Sequence, residues 1–337
     1  LLKYSNYQEY LKIWIDILTP KQLLFSEPII ERLEEKHEIL CTSREYHEVS
    51  KLAKIRHFDL IFVGKHGGGD KKSKLKASIE RMGKLSKKIK RFEPDLVISF
   101  GSPEAARISF GLGIKHIMFC DSPHANAVMK LTLPLIQKLL IPYVIPKKEF
   151  SKYGIHEKNI VQYKAIDAAV TMKRKIREDL NSPFKNNNKK NILIRVEEEE
   201  ASYTSKSSKI IPIIQKITKD YKNENVVVLG RYTKQINNLK KIIGNKVKIV
   251  KMSFDGKFLL NKTDIFIGSG GTMTAESALM GIPTISYNAV PNIVEEFLVK
   301  KSLVKRETNP NKVSNHIKKI FETKNDQNQK RAKKIVK

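Results

Sequence analysis

The sequence predicts an α/β protein with two domains, each containing a parallel sheet with helices on both faces. Its 337 residues exceed what one hydrophobic core usually serves. Short β-forming runs alternate with helix-length segments along most of the chain, which is typical of parallel sheets. The alternation stops at a basic, asparagine-rich segment, NSPFKNNNKK (181–190), and then restarts. We therefore expect an N-terminal domain at 1–165, a linker at 166–190, a C-terminal domain at 191–324 and a solvated basic tail at 325–337.

Apolar runs mark the expected strands. In the first domain they are KIWIDIL (12–18), HEILCTS (37–43), DLIFVG (59–64), DLVISFG (95–101), KHIMFCD (115–121) and YVIP (143–146). In the second they are NILIRV (191–196), NVVVLG (225–230), VKIVKM (247–252), DIFIGSG (264–270) and PTISY (283–287). Helix-length segments between them include Phe25–Lys36 and Pro103–Gly111. Ligands of open parallel sheets bind at the carboxyl ends of the strands, so two such sheets facing each other would form a ligand cleft between the domains.

The chain is strongly basic, with 64 Lys and Arg against 35 Asp and Glu and a formal net charge of +29. This excess favours a polyanionic partner, an anionic membrane surface or a phosphorylated substrate. Aromatic residues make up only 8% of the chain and no nucleic-acid-reading motif appears. A specific nucleic-acid partner is therefore not expected.

Cysteine content and hydropathy indicate the compartment. Cys41 and Cys120 are too few and too isolated for a disulfide framework or a zinc site, which favours a reducing, intracellular setting. The longest apolar region, Leu131–Pro146, is interrupted by three prolines and is shorter than the ~20 residues of a spanning helix. The first residues lack the order of a signal peptide, and the opening Leu1 suggests that an initiator methionine or a short extension is missing. We expect a cytoplasmic protein, either soluble or bound peripherally to the inner face of the membrane.

The segment GSGGTMTAESALMGIP (268–283) is the first candidate site. Gly268, Gly270 and Gly271 allow positive φ and close backbone approach, and Thr272 is expected to cap the helix that follows. Backbone amides and the helix dipole at such a turn favour a phosphate, with Ser269 to Thr272 around it. Glu276 lies four residues beyond Thr272 on the same helix face, where its carboxylate can accept hydrogen bonds from two ribose hydroxyls. The alternative is a tight strand-to-helix turn with an acidic residue near a helix N-terminus.

Two arginines follow strands of the second domain. Arg195 ends one strand with Glu197 two positions later, and Arg231 follows Gly230 at the end of the next. An arginine there can bind a diphosphate bidentately, and Glu197 can orient it or bind a sugar hydroxyl. A solvated acidic loop is the alternative interpretation of the region after Arg195.

The first domain offers histidines at strand ends. His66 precedes three glycines, of which Gly67 would let a ligand approach, and histidine is the natural general base near neutral pH. A flexible surface loop is the alternative. Asp121 and His124 follow another strand, close enough in sequence for the carboxylate to orient the imidazole. The alternative there is a helix cap by Asp121 or Ser122, while Ser102 is expected to cap the helix in SFGSPEAARISFGLGI.

The segment KKSKLKASIERMGKLSKKIKRF (71–92) predicts a basic amphipathic helix. Its apolar residues recur every three or four positions, and ten Lys and Arg occupy most of the remainder. An ordinary surface helix with its apolar stripe in the core is the simpler interpretation. The basic face would also suit an anionic lipid surface.

The ordered motifs WIDILTP, GKHGG, SFGSPEAARISFGLGI, CDSPHA, TLPL, ILIRVE, LGRY and GSGGTMTAESALMGIPTIS resemble the family called domain of unknown function 354, from about Lys12 to Arg306. That family is placed by fold with GT-B glycosyltransferases and non-hydrolysing UDP-N-acetylglucosamine 2-epimerases. The resemblance implies a GT-B-like fold, in which two Rossmann-like domains with parallel sheets face each other across a cleft and the second domain binds a nucleotide-sugar.

Carried over to this sequence, the GT-B pattern implies a donor diphosphate at Ser269, Gly270, Gly271 and Thr272, a ribose or sugar at Glu276, and a phosphate-binding cation at Arg195 or Arg231. Family members often carry PHVHFF after the first strand, where this chain has PKQLLF (20–25), so Lys21 and Leu23 replace two histidines. The catalytic residues are therefore expected among His66, Asp121 and His124. Residues Gly67 and Ser102 would contact substrate from the first domain.

The expected activity is transfer of a sugar from a UDP-sugar to an acceptor, such as a lipid-linked or cell-envelope glycan. Helix amides and arginines would hold the diphosphate, so neither a metal nor a cofactor is expected. Domain closure on the donor would make a hinge near 164–171 functionally sensitive. One alternative is a nucleotide-sugar epimerase, although the turns typical of the epimerases, HGDT and HxEAGLR, read FGSP and CDSPHA in this chain. Another is a nucleic-acid-binding protein, suggested by the charge of +29.

Overall fold

The computed structural model describes residues 10–176, 182–197, 209–244, 247–251, 255–289, 291–323 and 327–336. The chain divides into two compact units. The first comprises Leu1–Ile141 and Pro146–Tyr163, and the second comprises Pro142–Ile145 and Lys164–Lys337. The chain therefore passes from one unit to the other three times.

The first unit contains a seven-stranded sheet in the order β3-β2-β1-β4-β5-β6-β7. Its central strands pair in parallel, β1 with β2 and β4, and β4 with β5. The strands are β1 (Lys12–Asp16), β2 (Glu38–Glu45), β3 (Ile61–Lys65), β4 (Leu96–Ser99), β5 (Lys115–Phe119), β6 (Lys138–Pro142) and β7 (Ile160–Tyr163). β6 thus lies just before the YVIP segment predicted as a strand.

Helices connect these strands and begin where the sequence supplies caps. The Thr19 hydroxyl accepts a hydrogen bond from the Gln22 amide and Pro20 occupies the first helical turn, so α1 starts there. Asp70 caps α3, and Ser102 caps α4 as predicted. The helices are α1 (Pro20–Leu33), α2 (His47–Arg56), α3 (Lys71–Phe92), α4 (Pro103–Gly111), α5 (Asn126–Thr132) and α6 (Lys148–Ser151).

The core of the first unit lies on both faces of the sheet. Side chains alternate along β1, so Ile13 and Ile15 pack on one face with α1 and α2. Trp14 points to the opposite face and packs with Leu85 and Ile89 of α3. Burial on two faces explains why the strands read as continuous apolar runs.

The second unit contains a six-stranded sheet in the order β10-β9-β8-β11-β12-β13. The strands are β8 (Asn191–Arg195), β9 (Asn225–Gly230), β10 (Lys248–Lys251), β11 (Ile265–Gly268), β12 (Thr284–Ser286) and β13 (Lys305–Arg306). The helices are α7 (Asp167–Met172), α8 (Ile210–Asp220), α9 (Thr233–Ile243), α10 (Gly256–Asn261), α11 (Thr272–Leu279), α12 (Ile293–Lys300), α13 (Pro310–Glu322) and α14 (Gln327–Val336).

Both sheets follow the strand order 3-2-1-4-5-6 of a Rossmann fold, with one strand added in the first unit. The predicted fold class, two Rossmann-like α/β domains with parallel sheets, is confirmed. In each sheet the direction of strand progression reverses between the first and fourth strands, at β1/β4 and at β8/β11. Ligands of such sheets bind at this switch point, beyond the carboxyl ends of the strands.

Two boundary predictions need correction. The expected linker begins with α7, and Ile166, Ala168 and Ala169 belong to a buried cluster of the second unit because this apolar face packs on α11. The expected tail contains α14, whose Ala332 is buried in the same cluster. The sequence of α14 predicted a solvated tail because it contains few apolar residues, but Ala332 and Ile335 pack in this cluster. The part of the expected linker at 177–181 falls outside the described residues.

No helix within the described ranges is both long enough and apolar enough to span a bilayer.

Candidate functional site

The turn between β11 and α11 presents an uncapped helix N-terminus. Gly271, not the predicted Thr272, occupies the N-cap position, and no side chain bonds to the first amides of the helix there. The Thr274 and Ala275 amides donate to the Gly271 carbonyl at 3.1 and 3.2 Å, whereas the amides of Thr272 and Met273 have no acceptor within the helix. These two amides and the helix dipole therefore suit an anion. This N-terminus lies at the switch point of the second sheet.

Gly270 shapes this turn. Its φ of +96° is the left-handed region that favours glycine. Its amide donates to Thr274 Oγ1 at 3.2 Å and its carbonyl accepts from Asn292 Nδ2 at 3.0 Å. The Gly270 amide is therefore already bonded, and the anion-binding amides begin at the N-cap.

Tyr287 connects the two sides of the switch point. Its single hydroxyl proton is shared between Glu197 Oε2 at 2.7 Å and the Arg195 carbonyl at 3.2 Å, and the hydroxyl also forms a hydrogen bond with the Ser269 side chain. Burial, and the negative charge of Glu197, raise the pKa of the Tyr287 phenol well above its usual value, so it remains a donor. Tyr287, which was not predicted as a site residue, thus contacts three residues that were: Arg195, Glu197 and Ser269.

The two predicted arginines lie at neighbouring strand ends. Arg195 is buried, and its Nη1 donates to the Gly230 carbonyl at 3.3 Å. Gln235 joins the same two loops, because it accepts from the Arg231 amide at 2.9 Å and donates to the Glu197 carbonyl at 3.0 Å. The structure therefore places Arg231 beside the Arg195 and Glu197 loop.

Glu276 lies within a buried ion cluster that the sequence did not predict. Its Oε1 accepts from Thr171 Oγ1 at 2.7 Å and from Arg174 Nη1 at 3.3 Å, and Arg174 Nη2 also donates to Asp255 Oδ1 at 2.9 Å. Lys257 Nζ donates to two backbone carbonyls of the α7 segment at 2.6 and 2.7 Å. These contacts orient the Glu276 carboxylate and direct its Oε2 toward Gly256, where an added Cβ would lie 3.6 Å away.

In the first unit, Asp121 and His124 lie together with Lys21. The Lys21 ammonium forms an ion pair with Asp121 and lies 4.5 Å from the centre of the Phe100 ring. The Ser122 hydroxyl donates to Asp121 Oδ1 at 2.8 Å, and no side chain caps α5, so the helix-cap alternative is not observed. The residues of this cluster follow three strands: Lys21 follows β1, Phe100 follows β4, and Asp121 and His124 follow β5.

The surroundings of His124 lower the pKa of its imidazole and so favour the neutral form. Burial lowers the pKa of the imidazole and Lys21 lowers it further, while Asp121 opposes both effects. A neutral imidazole has a ring nitrogen that can accept a proton. The arrangement therefore suits a general base oriented by a carboxylate.

His66 lies at the end of β3, and β2, β1 and β4 separate that strand from β5. At about 4.8 Å per strand, the two strand ends are roughly 19 Å apart. His66 stacks on Tyr46 with ring centres 4.8 Å apart, and its Nδ1 accepts from the Gly68 amide at 3.1 Å. A Cβ on Gly67 would lie 2.6 Å from the Lys74 Cα, so this glycine is required for packing against α3. The structure does not bring His66 and Gly67 to the Asp121 and His124 cluster.

Ser102 belongs to a second buried network. Its hydroxyl donates to Asp16 Oδ2 at 2.6 Å, and the Asp16 carboxylate also accepts from Arg81 and Thr42. Burial works against ionisation of Asp16, but these donors, Arg81 above all, hold its pKa below the usual value. Ser102 is fully buried, so it supports the switch point of the first sheet instead of facing a ligand.

Some of the residues that were not predicted have weak signals in the sequence. Arg81 shares the spacing of four with Leu85 and Ile89, which places it on the buried stripe of α3. Lys21 follows a strand end directly after the Thr19 and Pro20 helix start. No local sequence pattern indicated the contacts of Thr171 and Arg174. Thr171 bonds to Glu276, 105 residues away, and Arg174 bonds to Asp255, 81 residues away.

Comparisons with known proteins agree with this architecture. A family model described as "Protein of unknown function (DUF354)" matches residues 11–335. Uncharacterized protein MJ0665 of Methanocaldococcus jannaschii is 30% identical over 302 residues, covering 86% of both chains.

Two solved structures share the fold. The UDP-GlcNAc 2-epimerase of Methanocaldococcus jannaschii, in complex with UDP-GlcNAc and UDP, superposes with a TM-score of 0.70 at 15% identity, covering 97% of this chain and 98% of the other. The glycotransferase of kitacinnamycin superposes with a TM-score of 0.63 at 11% identity, covering 97% of this chain and 94% of the other. These likenesses establish a fold shared with nucleotide-sugar epimerases and glycosyltransferases.

Proposed function

The chain belongs to the DUF354 family, and from that premise we propose that it is a GT-B-type glycosyltransferase that moves a sugar from a UDP-sugar to a glycan or lipid-linked acceptor. The observation that carries the proposal is the uncapped N-terminus of α11 at the switch point of the second sheet. Its setting beside Arg195 and Glu197, through Tyr287, supplies cationic and hydrogen-bonding groups at the same sheet edge.

The proposed donor site works by electrostatics alone. Amides at the start of α11 bind the diphosphate, and the charges of Arg195 and Arg231 compensate its negative charge as UDP leaves. Glu276 binds ribose hydroxyls through Oε2, while Thr171 and Arg174 hold Oε1. In this proposal no metal ion is needed to stabilise the leaving group.

The acceptor is activated by the first unit. His124 removes the proton from an acceptor hydroxyl, the hydroxyl oxygen forms a bond to the anomeric carbon, and the bond from that carbon to UDP breaks with its electron pair leaving on UDP. Asp121 orients His124 and stabilises the imidazolium that forms. His66 has no role in this proposed mechanism, and its predicted catalytic role stays a prediction.

Substitution of Gly271 tests the donor site. Gly271 has φ and ψ of −84° and −160°, which suit a side-chain cap, and a Cβ would meet only Ser269 Oγ at 3.9 Å. Gly271→Asp therefore caps the helix and preserves stability, but its carboxylate occupies and repels the diphosphate site. We expect UDP binding measured by calorimetry to weaken at least about a hundredfold, by roughly 3 kcal/mol.

Gly271→Ala is the matched control, since it adds the Cβ without charge and should retain UDP binding within a few-fold. Equal UDP affinity in the wild type and Gly271→Asp would reject the donor site. Failure of UDP and UDP-sugars to raise the melting temperature of the wild type would reject it as well.

An epimerase is the second candidate, because the epimerase fold superposes with a TM-score of 0.70. Incubation with UDP-N-acetylglucosamine in deuterated water and without acceptor distinguishes the two activities. An epimerase inverts C2 and incorporates deuterium there, whereas a transferase leaves C2 unchanged. The β4 exit favours transfer, since its Ser102 is committed to Asp16 and cannot act as the acid of an epimerase turn.

A further inference from the structure

Two aliphatic side chains of α3 lie in solvent. Leu75 is 63% exposed and Ile79 is 56% exposed, and their spacing of four places them side by side on the helix. Leu85 and Ile89 of the same stripe are fully buried. The prediction that the whole stripe faces the core is therefore correct only for the C-terminal half of α3, which anchors the helix to the sheet.

The exposed pair lies on a helix that is rich in basic side chains. α3 carries ten Lys and Arg residues and a single acidic residue, Glu80. Arg81 is buried against Asp16, and the other nine basic residues are exposed or half-buried. These are Lys71, Lys72, Lys74, Lys76, Lys84, Lys87, Lys88, Lys90 and Arg91.

We propose that the face of α3 carrying Leu75 and Ile79 is a docking surface for a membrane of anionic lipids. An amphipathic helix binds such a surface when apolar side chains enter the acyl boundary and flanking cations contact the headgroups. Lysine stems can lie along the acyl boundary while their ammonium groups stay among the phosphates. The exposed pair supplies the apolar part of this contact, and the cations three or four residues from it, Lys71, Lys72 and Lys76, supply the charge.

A bilayer fits this face better than a nucleic acid does. A phosphate backbone offers nothing to Leu75 and Ile79, and single-stranded nucleic acids are held by stacking on aromatic rings. The aromatic residue of α3, Phe92, is half-buried at its C-terminal end, with the Lys12 ammonium 5.7 Å from its ring centre. Arg81, the arginine nearest the pair, is buried.

The exposed pair lies near the carboxyl edge of the first sheet, because α3 begins after the end of β3. Docking would bring that edge, with Lys21, Asp121 and His124, toward the bilayer. The surface is inferred independently of the proposed glycosyl transfer. If both proposals hold, a lipid-linked acceptor reaches the site from the membrane.

Co-sedimentation with vesicles tests the surface. The full chain should bind vesicles of equal parts phosphatidylglycerol and phosphatidylcholine and should not bind phosphatidylcholine alone. The double substitution Leu75→Ser and Ile79→Ser should weaken binding at least about tenfold through the lost apolar contact. Ile242→Ser is the matched control, since Ile242 is 47% exposed beside Lys240 and Lys241 on α9, and it should bind like the wild type.

Labelling of the helix gives an independent measurement. Cys41 and Cys120 are buried, so an environment-sensitive dye attached to an Ile79→Cys variant reports this position alone. We expect a blue shift of its emission on addition of anionic vesicles, and no shift for a dye on Ile242→Cys. Unchanged vesicle affinity of the double variant, or no blue shift at position 79, overturns the proposal. Binding to single-stranded RNA with none to anionic vesicles overturns it in favour of a nucleic-acid partner.

Discussion

Lys21 lies in the first turn of α1, shortly after the end of β1. Its ion pair with Asp121 and its position over Phe100 fix it beside His124. On the proposed function, the Lys21 ammonium lies beside His124, the residue that acts as the base. Lys21 also contributes to keeping that imidazole neutral.

Replacement of Lys21 should therefore change the titration of His124. Lys21→Met removes a charge that lowers the His124 pKa and leaves Asp121, which raises it, so the pKa of His124 should rise. An NMR titration of the imidazole measures this, with His124→Asn assigning the resonance. Lys148→Met, a surface change in the same unit, should leave the titration unchanged. A constant or lower pKa in Lys21→Met would contradict the assignment.

Arg174 forms ion pairs with both Asp255 and Glu276, and all three side chains are buried. Removal of one partner from a buried ion cluster leaves an uncompensated charge, which costs about 3–5 kcal/mol. Arg174→Met should lower the unfolding free energy of the second unit by that amount in urea denaturation. Thr171→Val, which removes one hydroxyl from the same cluster, should cost about 1 kcal/mol.

A surface ion pair provides the comparison. Lys318 and Glu322 are 4.0 Å apart with side chains 73% and 60% exposed, and Lys318→Met should change stability by less than about 1 kcal/mol. If Arg174→Met cost no more than Lys318→Met, the cluster would have no part in stabilising the fold.

At the scale of elements, a buried histidine joins β4, β5 and α4. His116 is fully buried in β5, with Nε2 2.9 Å from the Ser99 hydroxyl and Nδ1 3.0 Å from the Ser109 hydroxyl. A neutral imidazole satisfies both serines, since one ring nitrogen donates and the other accepts. Burial lowers the pKa of His116 to about 4.

This pKa predicts loss of stability in mild acid. Between pH 6.5, the usual value, and about 4, the unfolded chain binds a proton at His116 and the folded chain does not. Stability therefore falls as the pH drops through this window, by roughly 3 kcal/mol from this group. Urea denaturation at a series of pH values should show a shallower decline for His116→Gln than for the wild type. Parallel declines would show that His116 titrates alike in both states.

α11 is the element on which the second unit depends most. Its N-terminus forms the proposed anion site, Glu276 is buried within it, and α7 and α14 both pack on it. Gly281, just beyond the helix, has a φ of +74°, and a Cβ there would lie 2.7 Å from the Gln329 Cα of α14. The glycine that ends α11 thus also permits α14 to pack closely.

The sequence predicted those features that depend on local patterns. The α4 limits, the Ser102 cap and the strand ends that carry Arg195 and Ser269 follow from periodicity, caps and glycine turns. Pairs such as Asp16 with Arg81, 65 residues apart, were not predictable because their attraction depends on the folded topology. α14 was not predicted for a different reason. Its composition indicates a segment in solvent, whereas its packing on α11 buries one face.

At the scale of the whole molecule, two units with separate cores should unfold in two calorimetric transitions. On the proposed function, UDP raises the transition temperature of the second unit alone. At a UDP concentration one hundred times Kd, the free energy of unfolding of that unit increases by about 2.7 kcal/mol. Arg174→Met identifies that transition, because it should lower the same one. A UDP-dependent shift of the other transition would place the nucleotide in the first unit.

The three crossings of the chain between the units have a consequence for biosynthesis. Pro142–Ile145 packs with the second unit, with the Tyr143 and Phe297 rings 5.9 Å apart, yet β7 of the first unit follows it in sequence. During translation the first unit can complete its sheet as soon as β7 leaves the ribosome, while Pro142–Ile145 waits for partners not yet synthesised. For the same reason, a gene divided at any single codon between the units yields two fragments of which one lacks a native segment. Circular permutation, which keeps all segments covalently joined, is the engineering route that respects this topology.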